Sequence, residues 1–248
     1  MTVAQHNDAI QKNLAYWDRK PLLRRVYRDF YQRIASHLSN APQPRVVEIG
    51  SGIGKSKDVI PNSIQTDLFP NPWLDLIENA YRLSFASSSI SDLILFDVFH
   101  HLRYPGTALA EFQRVLMLGG RVIIFDPCIS LLGLIVYGLF HPEPIALTTP
   151  MQWGAPTGWS PEKIDYYAAQ GNAWRVFTTR KYRQLLQAWE LVAVKQFSAI
   201  AYVASGGYSK PQLLPNALFP LLKASEKVCD LFPFLFATRL LVVLEKSA

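Results

Sequence analysis

Three glycines at every second position provide the clearest chemical signal in the sequence: Gly50, Gly52 and Gly54 follow the apolar segment 46–49. A strand that runs into closely spaced glycines brings backbone N–H groups close to a ligand, because no Cβ blocks the approach. A phosphate-binding loop requires glycine five positions before Gly54, where isoleucine stands, and a dinucleotide-binding turn requires glycine directly after Gly54, where lysine stands. The spacing that remains is acid-x-Gly-x-Gly-x-Gly, beginning at Glu48.

A second acid, Asp67, ends the next predicted strand, nineteen residues after Glu48. An acid at the end of that strand can accept hydrogen bonds from both ribose hydroxyls of a nucleoside. The alternatives are that the glycines form an ordinary tight turn and that Asp67 only caps a turn or helix. Because both features stand together, they favour a nucleoside site.

Three further segments resemble one family in chain order. Residues 79–85 are similar to its Asp-Ala-x-x-Leu-Pro-Phe segment, residues 91–102 to its fourth-strand motif, and residues 110–121 to its helix and entry into strand five. Together with the glycine turn, residues 45–126 resemble the type 11 family of class I S-adenosylmethionine-dependent methyltransferases. The resemblance implies S-adenosylmethionine as cofactor and S-adenosylhomocysteine as product. The cofactor-binding residues that it implies are Glu48, Gly50, Ser51, Gly52, Gly54, Asp67, Leu68, Asn79, Ala80, Asp97 and Val98.

The sequence departs from this family at two places. Asn79 stands where an aspartate usually meets the adenine amino group, and an asparagine can still offer its carbonyl oxygen. The segment 68–78 is too short for a crossover helix and contains two prolines. We therefore predict that this helix is missing or reduced to a turn and that residues 73–78 form a short edge strand. Phe69 or Trp73 then lies near the adenine, or Trp73 fills the space of the missing helix.

Histidine side chains are the candidates for activating an acceptor. Methyl transfer needs alignment and exclusion of water, and it needs a base only if the acceptor must lose a proton. His101 is the first candidate for a base or acceptor-orienting group, followed by His141 and His100, with no side-chain base as the alternative. Asp126 is a second-rank candidate for substrate binding. His6 is expected in a loose N-terminus and His37 at a helix end, and no metal site is expected.

The elements that position these residues form an alternating pattern. We predict strands near 45–49, 62–67, 92–96, 121–125, 191–203 and 240–244, and helices at 21–38 and 107–117. Gly119-Gly120 is expected to end the second of these helices, and Thr178 or Thr179 to cap a third. This alternation indicates an α/β fold with a parallel sheet. The family resemblance implies the full fold class: a Rossmann-like, doubly wound, mostly parallel seven-stranded sheet with an antiparallel last strand.

Two irregular segments interrupt this pattern. We expect an N-terminal helical segment (1–44) over the cofactor cleft and a Rossmann-like domain (45–248) with cap insertions at about 127–177 and 204–233. The apolar stretches at 128–140 and 211–238 have two interpretations. They pack as core helices, or they provide an apolar pocket or a membrane-facing patch for the acceptor.

Composition limits the classes of function. The chain has 248 residues, half of them hydrophobic, and a net charge of +6. No long Lys/Arg tract or aromatic-rich basic strand points to nucleic acid. The two cysteines have no metal-ligand spacing and indicate free thiols in a reducing compartment. The polar N-terminus indicates no signal peptide, and the longest apolar run is too short to span a bilayer. We expect a cytoplasmic protein that can contact a membrane peripherally, helped by the basic residues Arg19, Lys20, Arg24, Arg25 and Arg28.

The sequence therefore predicts methyl transfer from S-adenosylmethionine to a small-molecule acceptor, with a hydroxyl oxygen as the expected target. One alternative is a membrane-associated methyltransferase that acts on a lipid or isoprenoid acceptor. Another is a non-catalytic nucleoside-binding protein of the same fold. A nucleotide-hydrolysing enzyme is disfavoured by the isoleucine that interrupts the phosphate-loop spacing.

Overall fold

The molecule is built on a single seven-stranded sheet with the order β3-β2-β1-β4-β5-β7-β6. The computed structural model describes residues 3–141, 143–162 and 166–247. The pairs among β1 to β5 are parallel, whereas β7 runs antiparallel to both β5 and β6. The predicted fold class, with its antiparallel last strand, is therefore confirmed. The strands are β1 Val46–Ile49, β2 Ile64–Asp67, β3 Leu76–Ile77, β4 Ile90–Phe96, β5 Leu116–Pro127, β6 Trp189–Phe197 and β7 Arg239–Lys246.

Helices cover both faces of this sheet. Side chains alternate along β4, so that Leu93 and Leu95 join the apolar cluster under α3 while Ile94 and Phe96 join the cluster under α2. The centre of the sheet is consequently buried on both sides, as parallel sheets require. The helices are α1 Val3–Arg19, α2 Pro21–Ala35, α3 Pro105–Val115, α4 Leu131–Leu139, α5 Asn172–Thr178, α6 Ile200–Ser205, α7 Phe219–Cys229 and α8 Pro233–Phe236.

The crossover between β2 and β3 has no helix. Residues 68–75 lead directly into β3, which pairs with β2 through Thr66 opposite Leu76 and Asp67 opposite Ile77. The Trp73 ring lies against the backbone of the glycine turn, and its Nε1 donates a hydrogen bond to Gly52 O (2.8 Å). The predicted loss of the helix and the short edge strand are therefore confirmed, and Trp73 fills part of the space that a helix would occupy.

The N-terminal predictions were partly wrong. The N-terminus that was expected to be loose forms α1, in which Ile10 and Trp17 are buried against the core. The helix predicted at 21–38 begins at Pro21 as expected but ends at Ala35. Lys20, expected at an anionic surface, is buried, and its ammonium group donates to Gly207 O (2.6 Å).

Three other boundaries differ from prediction. Gly119-Gly120 does not end a helix, because α3 stops at Val115 and both glycines lie within β5. The segment after Thr179 is a 3-10 helix, and the Thr179 hydroxyl donates back to Arg175 O instead of capping it. The strand predicted to run to residue 203 ends at Phe197, since Ala199 has a positive φ (45°) and α6 begins at Ile200.

Candidate functional site

A cavity of about 460 Å³ lies where β1, β2 and β4 end. Its lining includes the residues that follow these three strands, which is where open α/β sheets bind ligands. The lining also includes residues of α1, α2 and the insertion after β5. The residues of this second group are His6, Asn13, Tyr27, Tyr31, Glu143, Trp159, Pro161, Tyr166 and Tyr167, together with Tyr208 from the later insertion.

The glycine turn after β1 combines three positive φ angles, at Gly50 (70°), Gly52 (55°) and Gly54 (64°). A Cβ at Gly50 would lie 2.6 Å from the Val98 side chain, and one at Gly54 would lie 2.5 Å from the Trp73 ring. At Gly52 the space is open, and the residue lines the cavity. Gly50 and Gly54 are thus required by packing, whereas Gly52 lets a ligand approach the backbone.

Asp67 is held at the end of β2 by two backbone groups. Its Oδ2 accepts the Gly52 N–H (3.0 Å) and its Oδ1 accepts the Leu68 N–H (2.7 Å). A carboxylate offers about four acceptor sites, so Asp67 can still accept two hydrogen bonds from a ligand. In this structure His6 of α1 is its partner, at 3.6 Å from Nε2 to Oδ1, and the Asp67 carboxylate raises the pKa of His6 although burial opposes it.

Glu48 is a buried acid with one unused oxygen. Its Oε1 accepts the Tyr31 hydroxyl (2.8 Å), and its Oε2 is buried without a hydrogen-bond partner in the part of the chain that the structure describes. Burial raises the pKa of Glu48. Because Glu48 lines the cavity, this oxygen is available to a cationic or hydrogen-bond-donating group of a ligand.

The remaining residues expected at the cofactor also reach the cavity, except for Gly54. Ser51, Leu68, Ala80 and Val98 line it, as does Phe69, whereas Trp73 does not. Asn79 lines it too, but its amide is engaged: Nδ2 donates to Pro161 O (2.8 Å), and Oδ1 accepts the Tyr81 N–H (3.0 Å).

Asp97 reaches the cavity but is paired with a residue that sequence reasoning missed. Its Oδ1 accepts a hydrogen bond from the guanidinium of Arg239, the first residue of β7. Arg239 is fully buried, and its guanidinium lies 4.3 Å from the Tyr202 ring centroid and 5.7 Å from that of Phe30. The Asp97 carboxylate therefore neutralises a buried cation. Nothing in the sequence pattern of β7 distinguishes Arg239 from an exposed arginine.

The three histidine candidates are placed differently. His101 lines the cavity, where its Nδ1 lies 2.8 Å from Tyr167 O and its Nε2 lies 3.6 Å from Glu143 Oε1. His100 is buried and lies outside the lining, between Asp126 (3.1 Å from Nδ1) and Glu143 (3.2 Å from Nε2). His141 also lies outside the lining.

Electrostatics separate the two adjacent histidines. Burial opposes a charge on His100, but Asp126 and Glu143 together raise its pKa to about 10. Burial and the neighbouring His100 lower the pKa of His101. Asp126, considered for substrate binding, is itself fully buried beneath His100.

Sequence reasoning also missed Glu143, Tyr166 and Tyr31. Glu143 and Tyr166 belong to the irregular insertion, and the Tyr166 hydroxyl donates to Glu143 Oε1 (2.8 Å). Tyr31 was hidden on the apolar face of α2. Only their position in three dimensions shows their place at the cavity.

Comparison with known proteins supports the same family. Residues 48–124 match the family model described as a methyltransferase domain. No protein with a curated function matches the sequence. Among solved structures, a geranyl diphosphate C-methyltransferase from Streptomyces coelicolor A3(2) is similar, with a TM-score of 0.51, 11% identity and coverage of 88% of this chain and 80% of that chain.

Two archaeal structures are similar as well. A complex between the Haloferax volcanii Trm112 methyltransferase activator and a methyltransferase gives a TM-score of 0.56 at 14% identity, covering 100% of this chain and 98% of that chain. An S-adenosylmethionine-dependent methyltransferase from Archaeoglobus fulgidus gives a TM-score of 0.53 at 13% identity, covering 90% and 94%. At these identities the likeness concerns the fold.

Proposed function

We propose, on the premise that this chain is a class I S-adenosylmethionine-dependent methyltransferase, that it transfers the methyl group of S-adenosylmethionine to a hydroxyl oxygen of a small-molecule acceptor. The observation that carries this proposal is a single cavity whose lining combines the glycine turn, Glu48 and Asp67 with His101 and the aromatic side chains of the insertion. Such a cavity provides for a nucleoside cofactor and an acceptor together.

The glycine turn, Glu48 and Asp67 fit the cofactor. Asp67 keeps acceptor capacity for the two ribose hydroxyls, and the unpartnered Glu48 Oε2 suits the ammonium group of the methionine part. Phe69, Leu68 and Ala80 supply apolar surface for the adenine. When bound, S-adenosylmethionine supplies a methyl group on a positively charged sulfur that needs no further activation.

His101 and the aromatic side chains around it suit an acceptor with an apolar or aromatic body. The rings of Tyr81 and Tyr104 lie 5.0 and 5.1 Å from that of Trp159 and form an aromatic wall. His101 presents Nε2 to the cavity and is the group best placed to orient an acceptor hydroxyl. The protein thereby aligns the acceptor and excludes water, which is the main requirement of an in-line methyl transfer.

Calorimetric titration with S-adenosylhomocysteine tests the cofactor part of the proposal, with ATP and NADH as comparison ligands. We expect micromolar binding of S-adenosylhomocysteine alone. Asp67→Asn should weaken it by about 1–3 kcal/mol because charge-assisted hydrogen bonds are lost. Glu190→Gln, on the exposed side of β6, is the matched control and should bind normally. No binding by the wild-type chain, or a preference for ATP or NADH, contradicts the proposal.

A second candidate is methyl transfer to a lipid or isoprenoid acceptor at a membrane surface. It is favoured by a group of exposed apolar side chains on two neighbouring parts of the insertions. In the described ranges no helix is long and apolar enough to cross a bilayer, so any contact would be peripheral. The exposed side chains are Leu131, Leu134, Ile135, Leu139 and Phe140 in or next to α4, and Val228, Leu231, Phe232 and Phe234 in or next to α7 and α8.

A further inference from the structure

Two adjacent histidines and a glutamate converge at the cavity. His100, His101 and Glu143 each offer one atom, and these atoms lie within 4.8 Å of one another. His100 Nε2 is 3.2 Å from Glu143 Oε2, and His101 Nε2 is 3.6 Å from Glu143 Oε1. Ligands about 2.0–2.1 Å from a tetrahedral ion stand about 3.3 Å apart. The two measured distances are therefore close to those of atoms that share one ion.

Each imidazole is oriented by a partner on its other nitrogen. His100 Nδ1 lies 3.1 Å from both oxygens of Asp126, and His101 Nδ1 lies 2.8 Å from Tyr167 O. A proton on each Nδ1 leaves both Nε2 atoms unprotonated, so that each has a lone pair with which to bind a cation. A carboxylate or carbonyl behind the ring is the usual arrangement of metal-binding histidines.

The glutamate is positioned in the same way. Glu143 Oε1 accepts the Tyr166 hydroxyl (2.8 Å), and Oε2 accepts the Gln170 amide (2.6 Å). His141 Nδ1 is 3.8 Å from Oε2, but it accepts the Glu143 backbone N–H and is not counted as a ligand. Glu143 and His101 line the cavity, so an ion between them would face a bound molecule.

Charge also fits a divalent cation. Asp126 and Glu143 bring two carboxylates around two imidazoles, and a dication that replaces the Nε2 proton of His100 would balance them. Two nitrogen ligands and one oxygen ligand suit the borderline first-row metals, whereas Mg²⁺ and Ca²⁺ prefer oxygen ligands throughout.

We propose that His100, His101 and Glu143 bind a divalent transition-metal cation of the Zn²⁺ class, with open coordination positions toward the cavity. The role of this cation in methyl transfer rests on the proposed function. An acceptor oxygen that binds the cation would lose its proton to solvent more readily. The oxygen would then form a bond to the methyl carbon as the carbon–sulfur bond breaks, which leaves a thioether. With the cation bound, the acceptor oxygen contacts the cation instead of the His101 ring.

Metal titration of the chelator-treated full chain tests the proposal. We expect one Zn²⁺ per chain by calorimetry, a visible absorption band when Co²⁺ is used as the probe, and no comparable binding of Mg²⁺. Glu143→Gln and His101→Ala should each weaken Zn²⁺ binding by more than about 100-fold, since even the loss of an orienting partner costs 10–100-fold. His37→Ala, which removes a half-buried histidine at the end of α2, is the matched control and should bind normally.

Three results would overturn the proposal: no stoichiometric Zn²⁺ in the wild type, equal binding by the variants, or equal loss in His37→Ala. Circular dichroism of the same samples shows whether each variant is folded, and the affinity for S-adenosylhomocysteine is measured beside it. Metal binding without S-adenosylhomocysteine binding would remove the proposed function and keep the metal site. The reverse result would remove only the metal site.

Discussion

At the scale of single residues, the two acids of the nucleoside motif have different surroundings. Asp67 is held by two backbone N–H groups and keeps free acceptor sites, whereas Glu48 is buried and depends on one tyrosine. Removing the partner of a buried acceptor costs the desolvation of the group that stays behind. The Tyr31 hydroxyl should therefore contribute to stability, although Tyr31 belongs to α2 and lies outside the glycine motif.

Tyr31→Phe is expected to lower the free energy of unfolding by about 1–3 kcal/mol, because the hydrogen bond from the Tyr31 hydroxyl to the buried Glu48 Oε1 is lost. Urea denaturation followed by circular dichroism measures this loss. Tyr16→Phe in α1 is the matched control and should change stability by less than about 0.5 kcal/mol. Equal stability of Tyr31→Phe and wild type would show that Tyr31 does not support Glu48.

At the scale of elements, two segments outside the regular strand–helix alternation shape the cavity: the crossover between β2 and β3, which has no helix, and α1. The crossover brings Trp73 against the glycine turn, and α1 brings His6 against Asp67. The proposed ribose site therefore lies beside the contact between His6 and Asp67, which holds α1 against the end of β2. Each of the two contacts can be tested by a substitution.

Gly54→Ala should lower the free energy of unfolding by about 2–4 kcal/mol, since the added methyl group meets the Trp73 ring at 2.5 Å and the backbone has a positive φ. The control is Gly158→Ala, where φ is also positive but no atom lies within 4 Å of the new Cβ. It should cost only about 1 kcal/mol, the conformational part. Thermal and urea denaturation compare the two, and equal losses would mean that Trp73 moves aside freely.

The contact between His6 and Asp67 should make the docking of α1 pH-dependent. The pKa of His6 is raised above 6.5 in the folded chain, so its contribution is fully present below pH 6.5 and is lost as the pH rises through the raised pKa. Hydrogen exchange in α1 should be about two to five times faster in His6→Ala than in wild type at pH 6, from about 0.5–1 kcal/mol. Near pH 8.5 the two rates should converge. A ratio that stays constant with pH would sink the idea.

At the scale of the whole molecule, the first insertion lines the cavity and also exposes an apolar surface. The first insertion supplies Glu143, Trp159 and Tyr166 to the cavity, while α4, in the same insertion, exposes a row of large apolar side chains. Exposed apolar groups of this extent mark a contact surface. The net charge of +6 favours an anionic membrane as the partner.

Sedimentation with vesicles tests this surface. Wild-type chain should bind vesicles that contain anionic lipid, and the double variant Leu139→Ser and Phe140→Ser should bind at least tenfold more weakly, because each side chain contributes about 1.5–3 kcal/mol when buried. Leu118→Ser, at an equally exposed position on β5, is the control. Identical partition of all three proteins, or no partition of the wild type, would leave only a small-molecule acceptor in solution.

The sequence by itself determined the elements whose signals are local. Strand patterns, the glycine spacing after β1, Asp67 nineteen residues later and the short 68–78 crossover predicted the sheet, its antiparallel strand and the missing helix. These features depend on periodicity, on backbone sterics and on chain length, which are all readable along the chain. The end of β6 at Phe197 was missed because a single positive-φ residue, Ala199, interrupts the local pattern, and the helix ends at Val115 and Ala35 were missed as well.

Only the tertiary structure decided which distant side chains meet. Glu143 contacts His100 although the two are 43 positions apart in the sequence. Arg239 contacts Asp97 from the last strand, and His6 contacts Asp67 from a segment that was expected to be loose. Such contacts have no periodic signature, since they depend on how irregular insertions fold back on the sheet. The part of the cavity at the strand ends was therefore predictable from its motif, while the part built from the insertions had to be found in three dimensions.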